Sequence, residues 1–129
     1  MIDRLNAHAG HHNGTGDGAE SGPFTATIDL EPLLGSLGTS IVYTATSLDG
    51  EQLHTERTTV AHDMFSGRLM LFVLSAELSG LGQLSEVSGG VFNNGAGVES
   101  FELQITIELT DDELTYIWSW APPGAPLTE

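Results

Sequence analysis

Three groups of residues in this sequence are of types and spacings that could do chemistry. His8, His11 and His12 stand at i, i+3 and i+4, so on a continuing helix their imidazoles would share one face, as metal-ligating histidines do. Gly10 interrupts that helix and no carboxylate follows in a metalloprotease pattern, so no metal site is expected. The glycines of Gly10-His11-His12-Asn13-Gly14-Thr15-Gly16-Asp17-Gly18 also raise a phosphate-cradling loop. Such a loop needs Lys-Ser or Lys-Thr after its glycines, or a strand before and a helix after, and neither context is present. What remains is a first strand in which Gly14, Gly16 and Gly18 mark a sharp bend or the close approach of a neighbour.

The second group is His54, Glu56 and Arg57. On a strand His54 and Glu56 share a face about 6–7 Å apart, so they could flank one ligand or meet through a water. The alternative is that they pair across the sheet as polar groups serving only hydrogen-bond satisfaction. Arg57 is either a cross-strand partner for an acid or the anchor of a ligand carboxylate. The third group is Tyr116, Trp118 and Trp120, inward aromatics that serve as core or as a ligand platform. His62-Asp63 sits at a turn, facing solvent. No serine has a histidine and an acid at a recognisable motif spacing, so nucleophilic catalysis has no support in the sequence.

The element that must position the aromatic group runs from Glu99 to Trp120 and reads as a β-hairpin. Phe101, Leu103, Ile105, Ile107 and Leu109 alternate with polar residues, the pattern of a strand burying one face. Thr110-Asp111-Asp112-Glu113 makes the turn, and Leu114, Tyr116, Trp118 and Trp120 resume the alternation. Phe101, Leu103, Ile105, Ile107, Tyr116, Trp118 and Trp120 are therefore expected inside.

The rest of the chain is strands and turns. Met1 to Ala9 has Ile2, Leu5 and Ala9 at helical spacing, and Gly10 stops it. Ser21 to Leu30 alternates as a strand, and Glu31 to Gly38 reads as one amphipathic helical turn lying across an opening. Thr39 to Ser47, which carries Tyr43, is joined to Gln52 to His62 through Asp49-Gly50, the strongest short hairpin signal in the chain. Neither face of Gln52 to His62 is apolar, so a strand there puts something polar inside. Arg68 to Ala76 is apolar on both faces and needs cover from both sides. Leu81 to Ser88 is a further short strand, Gly89 to Gly97 a glycine-rich loop, and Ala121 to Pro126 cannot continue a sheet. Eight or so strands joined by tight turns predict one all-β domain, a single antiparallel up-and-down β-barrel of about 8–10 strands with a short N-terminal helix.

Composition excludes whole classes of partner. In 129 residues, 18 acids face three cations, all arginine, for a net charge of -15. Clustered cations for nucleic-acid phosphates or an anionic membrane surface are absent from the sequence. With no cysteine, disulfide and thiolate chemistry are excluded. No signal-peptide pattern and no apolar run of about 20 residues is present, so a cytoplasmic location is expected.

Several short stretches carry a family resemblance. Gly10-His11-His12-Asn13-Gly14-Thr15-Gly16 resembles the Gly-x-Trp-x-Gly-x-Gly opening of calycin-like barrels related to fatty-acid-binding proteins, in particular nitrobindin and its relatives, with His12 at the tryptophan position. Gly50-Glu51-Gln52-Leu53-His54-Thr55-Glu56 is similar to that family's Gly-x-Pro-Leu-His-x-Glu, and Ala121-Pro122-Pro123-Gly124-Ala125-Pro126-Leu127 to its Ala-x-x-Gly-x-Pro-Leu tail. A second group of barrel domains, of unknown function, is similar through the opening glycines and the pairing of a Tyr strand with an Asp-Gly turn. The resemblance implies a ten-stranded barrel with a haem or small apolar pocket. This chain departs from it at His12 and in stopping at Glu129, where the proximal histidine and a final strand would follow.

The expectation is a barrel that binds a small hydrophobic or amphipathic molecule in a pocket lined by His12, Tyr43, His54, Glu56, Arg57, Phe101, Leu103, Ile105, Tyr116, Trp118 and Trp120. A haem-binding protein and a side-chain-filled interaction module are the alternatives. No haem cofactor is expected, because the ligand that the resemblance implies is not in the sequence. Self-association as a homodimer is expected through Met70, Phe72 and Leu74 and an unpaired sheet edge.

Overall fold

The computed structural model describes residues 1–19, 21–78, 80–95, 101–122 and 125–129. Glu99 and Ser100 of the expected hairpin, and Pro123 and Gly124 of the tail motif, lie outside the described residues. Among these residues one helix, α1 (Ile2–Asn6), precedes nine strands: β1 (Gly10–Gly18), β2 (Gly22–Leu33), β3 (Gly38–Ser47), β4 (Gln52–His62), β5 (Leu69–Ser75), β6 (Gly82–Ser88), β7 (Val91–Asn93), β8 (Glu102–Leu109) and β9 (Leu114–Ala121). Each strand pairs antiparallel with the next, and the sheet order follows the sequence order. The sheet curls into an up-and-down half-barrel.

The hairpin of β8 and β9 sets Leu103, Ile105 and Ile107 beside Trp120, Trp118 and Tyr116 on one face. Its turn closes as the residue types dictate: Thr110 N–H donates to the Glu113 carbonyl at 2.9 Å and Glu113 N–H to the Thr110 hydroxyl at 3.0 Å. Around the curl the inner face continues through Ile41, Tyr43, Ala45, Val60, Leu71, Val73, Leu84 and Phe92, all buried. On β5 the alternation leaves Leu71 and Val73 inside, with Met70 and Phe72 half-buried and Leu74 exposed on the other face.

Five expectations are corrected. The segment Glu31 to Gly38 is not a helical turn: β2 runs on to Leu33, and residues 34–37 form its hairpin turn with β3, where Leu34 (φ 48°) and Gly35 (φ 72°) take left-handed conformations. Val91–Asn93, within the glycine-rich stretch, is a strand, because Phe92 buries completely between β6 and β8. α1 ends at Asn6, so His8 lies beyond the helix, and His11 and His12 sit on opposite faces of β1. Phe101 and Trp120 are not interior: they stay 40% and 36% exposed and stack on each other, centroids 5.9 Å apart, and Trp120 borders open space rather than packed side chains. Arg57 is exposed on the outer face, since the alternation that buries Glu56 turns its neighbour outward.

α1 ties two ends of the sheet together. Ile2 and Leu5, one turn apart, both enter the core. Asn6 accepts the hydroxyl of fully buried Thr39 at 2.7 Å, while Arg4 Nη2 donates to the Leu109 carbonyl at 2.5 Å.

Candidate functional site

With nine up-and-down strands, β1 and β9 run in the same direction, and they are the two edges of the sheet. Among the described residues, hydrogen bonds span their seam at its two ends. At the lower end α1 crosses it, with His8 Nε2 at 3.0 Å from the Thr110 carbonyl. At the upper end the tail turns back: Trp120 and Thr128 exchange two backbone hydrogen bonds of 2.9 and 2.8 Å, and Ala19 N–H donates to the Glu129 carbonyl at 3.2 Å. Between these ends lies a cavity of about 730 Å³, bordered by residues 12–18 of β1 and by residues 112–118 at the start of β9.

The glycines of β1 make room along this edge. The Phe24 ring of β2 lies over Gly16, its register partner, where an added Cβ would overlap the ring. At Gly14 the same face is open, with no heavy atom within 4 Å of an added Cβ.

The far wall is aromatic, and a buried carboxylate stands behind it. Glu56 is 3% exposed, placed there by the period-two alternation that sends His54, Glu56 and Thr58 of β4 inward. Tyr116 and Trp118 of β9 reach it across the interior. The Tyr116 hydroxyl donates to Oε2 at 2.8 Å and Trp118 Nε1–H to Oε1 at 2.7 Å. His54 Nε2–H donates to Oε1 at 3.0 Å, and Thr58 adds its hydroxyl on Oε2. Four donors on two oxygens satisfy the carboxylate, as a buried charge requires. His54 Nδ1–H goes to Glu77 Oε2 at 2.9 Å. The rings then pack on one another: His54 meets Trp118 edge-on at 4.4 Å, and Tyr43 lies 5.3 Å from both His54 and Tyr116.

Of the residues the sequence proposed, the structure brings His12, Tyr43, His54, Tyr116, Trp118 and Trp120 to the cavity. Glu56 is behind the wall rather than on it, holding three of those side chains. Leu103 and Ile105 are fully packed in the core, and Arg57 lies on the outer face with Phe72 and Leu74. The sequence reading missed the open edge of β1 from Asn13 to Gly18 and the acidic residues Asp17, Asp112, Glu113 and Glu129, which also border the cavity.

Burial pushes the Tyr43 phenol up to about 12, with the Glu56 charge adding to it, and the same two causes hold Tyr116 well above the usual phenol range. Burial alone would lower the His54 value, but the hydrogen bonds and charges of Glu56 and Glu77 outweigh it and raise it above 6.5. Neither phenol ionises near neutrality, and both imidazole nitrogens of His54 are committed to carboxylates. The polar atoms of Tyr116, Trp118 and His54 are thus committed to holding the rings in place.

A raised histidine stabilises the fold below its unfolded pKa of about 6.5, and this contribution is lost as pH rises through the folded value. Urea unfolding is expected to show wild type losing stability relative to His54→Gln as pH rises above about 6.5. His11 on the outer face, raised by its hydrogen bond to Asp29 and by that charge, acts in the same direction and is common to both proteins. Parallel pH profiles for the two proteins would refute the ion-pair role of His54.

Haem would need an imidazole nitrogen free toward iron. Both nitrogens of His8 and of His54 have partners, and His12 is held through Nε2, 2.5 Å from the His8 carbonyl. The donors of the seam do not fit axial ligation. Among the described residues no three His, Asp or Glu side chains converge as metal ligands, and no helix is long and apolar enough to cross a membrane. No protein-family model, curated protein or solved structure matches the chain, so the case for the seam rests on its own residues.

Proposed function

We propose that this protein is a small-molecule binding module that holds one amphipathic ligand in the seam between β1 and β9. The observation that carries the proposal is a preformed cavity of about 730 Å³ whose aromatic wall is oriented by a carboxylate that does not itself border it. Small-ligand sites are clefts of roughly 300–1,000 Å³ with apolar walls and a few placed polar groups. A wall fixed by hydrogen bonds from behind meets a ligand without first losing rotamer freedom, which lowers the entropic cost of binding.

Both tryptophans of the chain, Trp118 and Trp120, border the cavity, so binding has an intrinsic reporter. Titration with the neutral apolar dye N-phenyl-1-naphthylamine is expected to give saturable energy transfer from tryptophan at one dye per chain. Gly14→Phe places a ring in open space on this face of β1 and is expected to weaken the dye at least tenfold while leaving the far-UV circular dichroism unchanged. Absence of saturable binding, or binding indifferent to Gly14→Phe, would overturn the proposal. Hemin is expected to give no sharp Soret shift at one equivalent, because the seam offers no suitable axial nitrogen. A sharp one-equivalent shift abolished by His12→Ala or His54→Ala would make the protein a haem binder instead.

A further inference from the structure

We infer that the ligand of the seam is an organic cation, a protonated amine or quaternary ammonium carried on an apolar body; this rests on the seam being the binding site. Two independent features of the cavity point the same way. The first is the aromatic wall. Its ring donors are already used on the side away from the ligand: Tyr116 O–H, Trp118 Nε1–H and one N–H of His54 all go to Glu56, and the other N–H of His54 goes to Glu77. What Tyr116 and Trp118 have left for the cavity is ring surface, and the face of such a ring carries the negative part of its quadrupole.

Tyr43 completes this wall. It is 9% exposed and borders the cavity, and its hydroxyl has no hydrogen-bond partner among the described residues. No fully enclosed side-chain polar atom among them is left without a partner, so this hydroxyl keeps contact with open space. A buried phenol opening on a cavity offers oxygen lone pairs to an ammonium N–H.

The second feature is the charge around the cavity. Asp112 and Glu113 border its lower end, Asp17 and Glu129 its upper end, and among the described residues no arginine borders it. The three arginines lie elsewhere, on α1, on the outer face of β4 and next to β5. Of the imidazoles that border the cavity, His8 spends both nitrogens on backbone carbonyls, His12 spends Nε2 on one, and His54 spends both on carboxylates. A carboxylate ligand would meet ring faces and an acidic rim, and the one cation beside them, the doubly hydrogen-bonded His54 imidazolium, is already held by Glu56 and Glu77. An ammonium would gain from both, and the charge of -15 on the whole chain would speed its approach.

Three ligands sharing one ring system separate this inference from the seam itself: 1-naphthylmethylammonium, 1-naphthylmethanol and 1-naphthoate, titrated by calorimetry in 20 mM and 300 mM salt. The ammonium is expected to bind at one per chain at least tenfold more tightly than the alcohol at low salt. The naphthoate is expected to show no heat, and the advantage of the ammonium should shrink at high salt. The exposed double variant Asp112→Asn, Glu113→Gln should cut the ammonium's affinity severalfold and leave the alcohol's unchanged, and Tyr43→Phe should weaken the ammonium by about threefold.

If the alcohol or naphthoate binds as tightly as the ammonium, the cation inference is wrong and the seam site stands. If none of the three binds at millimolar concentration, the seam is not the site and both readings fall. Ammonium binding that survives Gly14→Phe would be condensation on the acidic surface, which also overturns the inference.

Discussion

Replacing Glu56 by alanine is expected to lower the unfolding free energy by about 3–5 kcal/mol, the range seen when one partner is removed from a buried charged network. The side chain is enclosed, and its loss strands Tyr116 O–H, Trp118 Nε1–H, His54 Nε2–H and Thr58 O–H in a space that water does not reach freely. Each uncompensated donor costs about 1–3 kcal/mol, and partial relaxation of the two hydroxyls keeps the total below the sum. Glu56→Gln separates charge from shape. Its oxygen can take Trp118 and His54 while its amide donates to the Tyr116 and Thr58 hydroxyls, which are able to accept. The expected loss is about 1–3 kcal/mol, together with loss of the raised His54 pKa. Urea denaturation of both variants checks the order. A Glu56→Ala protein within 1 kcal/mol of wild type would mean that the four donors find other partners and that the wall is not held from behind.

The ordering of the wall also explains what the sequence could and could not show. Alternation located β8 and β9 because Leu103, Ile105 and Ile107 face polar neighbours at every step, a signal that depends on nothing distant. The same logic placed Tyr116 and Trp118 inside. On β4 it was silent, since His54-Glu56-Thr58 and Thr55-Arg57-Thr59 are equally polar. Which face turns inward is set by β3, where Tyr43 is the register partner of Glu56 and its face is apolar from Ile41 to Ala45.

Whether Glu56 touches a ligand or stands behind the residues that do was beyond sequence, because it depends on the reach of Tyr116 and Trp118 across some 60 intervening residues. Phe101 and Trp120 keep the alternation but stay partly exposed, and periodicity carries no information about whether the space an inward face meets is filled. The seam itself follows from an odd number of antiparallel strands. Counting eight or so strands left that parity open, so the shared direction of β1 and β9, and the acids that border the gap, became visible only in the fold.

The second large effect is expected far from the ring wall, at Leu5. A five-residue helix has no stability of its own, because nucleating a helix costs more than one turn of hydrogen bonds returns. α1 is therefore held by what it buries and what it ties. Leu5 is fully enclosed and Ile2 nearly so, while Asn6 holds Thr39 at one side and Arg4 and His8 hold the β8–β9 turn at the other. Leu5→Ala removes the central anchor and leaves a cavity among Ile2 and the core, for an expected loss of about 2–5 kcal/mol. The effect should be partly local. Hydrogen exchange is expected to lose protection first at the Leu5 and Ala7 amides, which bond the Met1 and Asp3 carbonyls, and then at the β8–β9 turn. Because His8 closes the lower end of the seam, the dye should bind more weakly to Leu5→Ala under conditions where the variant is still folded by circular dichroism. Unchanged dye affinity in a folded Leu5→Ala protein would show that the seam keeps its shape without α1, leaving the tail at Thr128 and Glu129 and the wall behind Tyr116 and Trp118 to define the site.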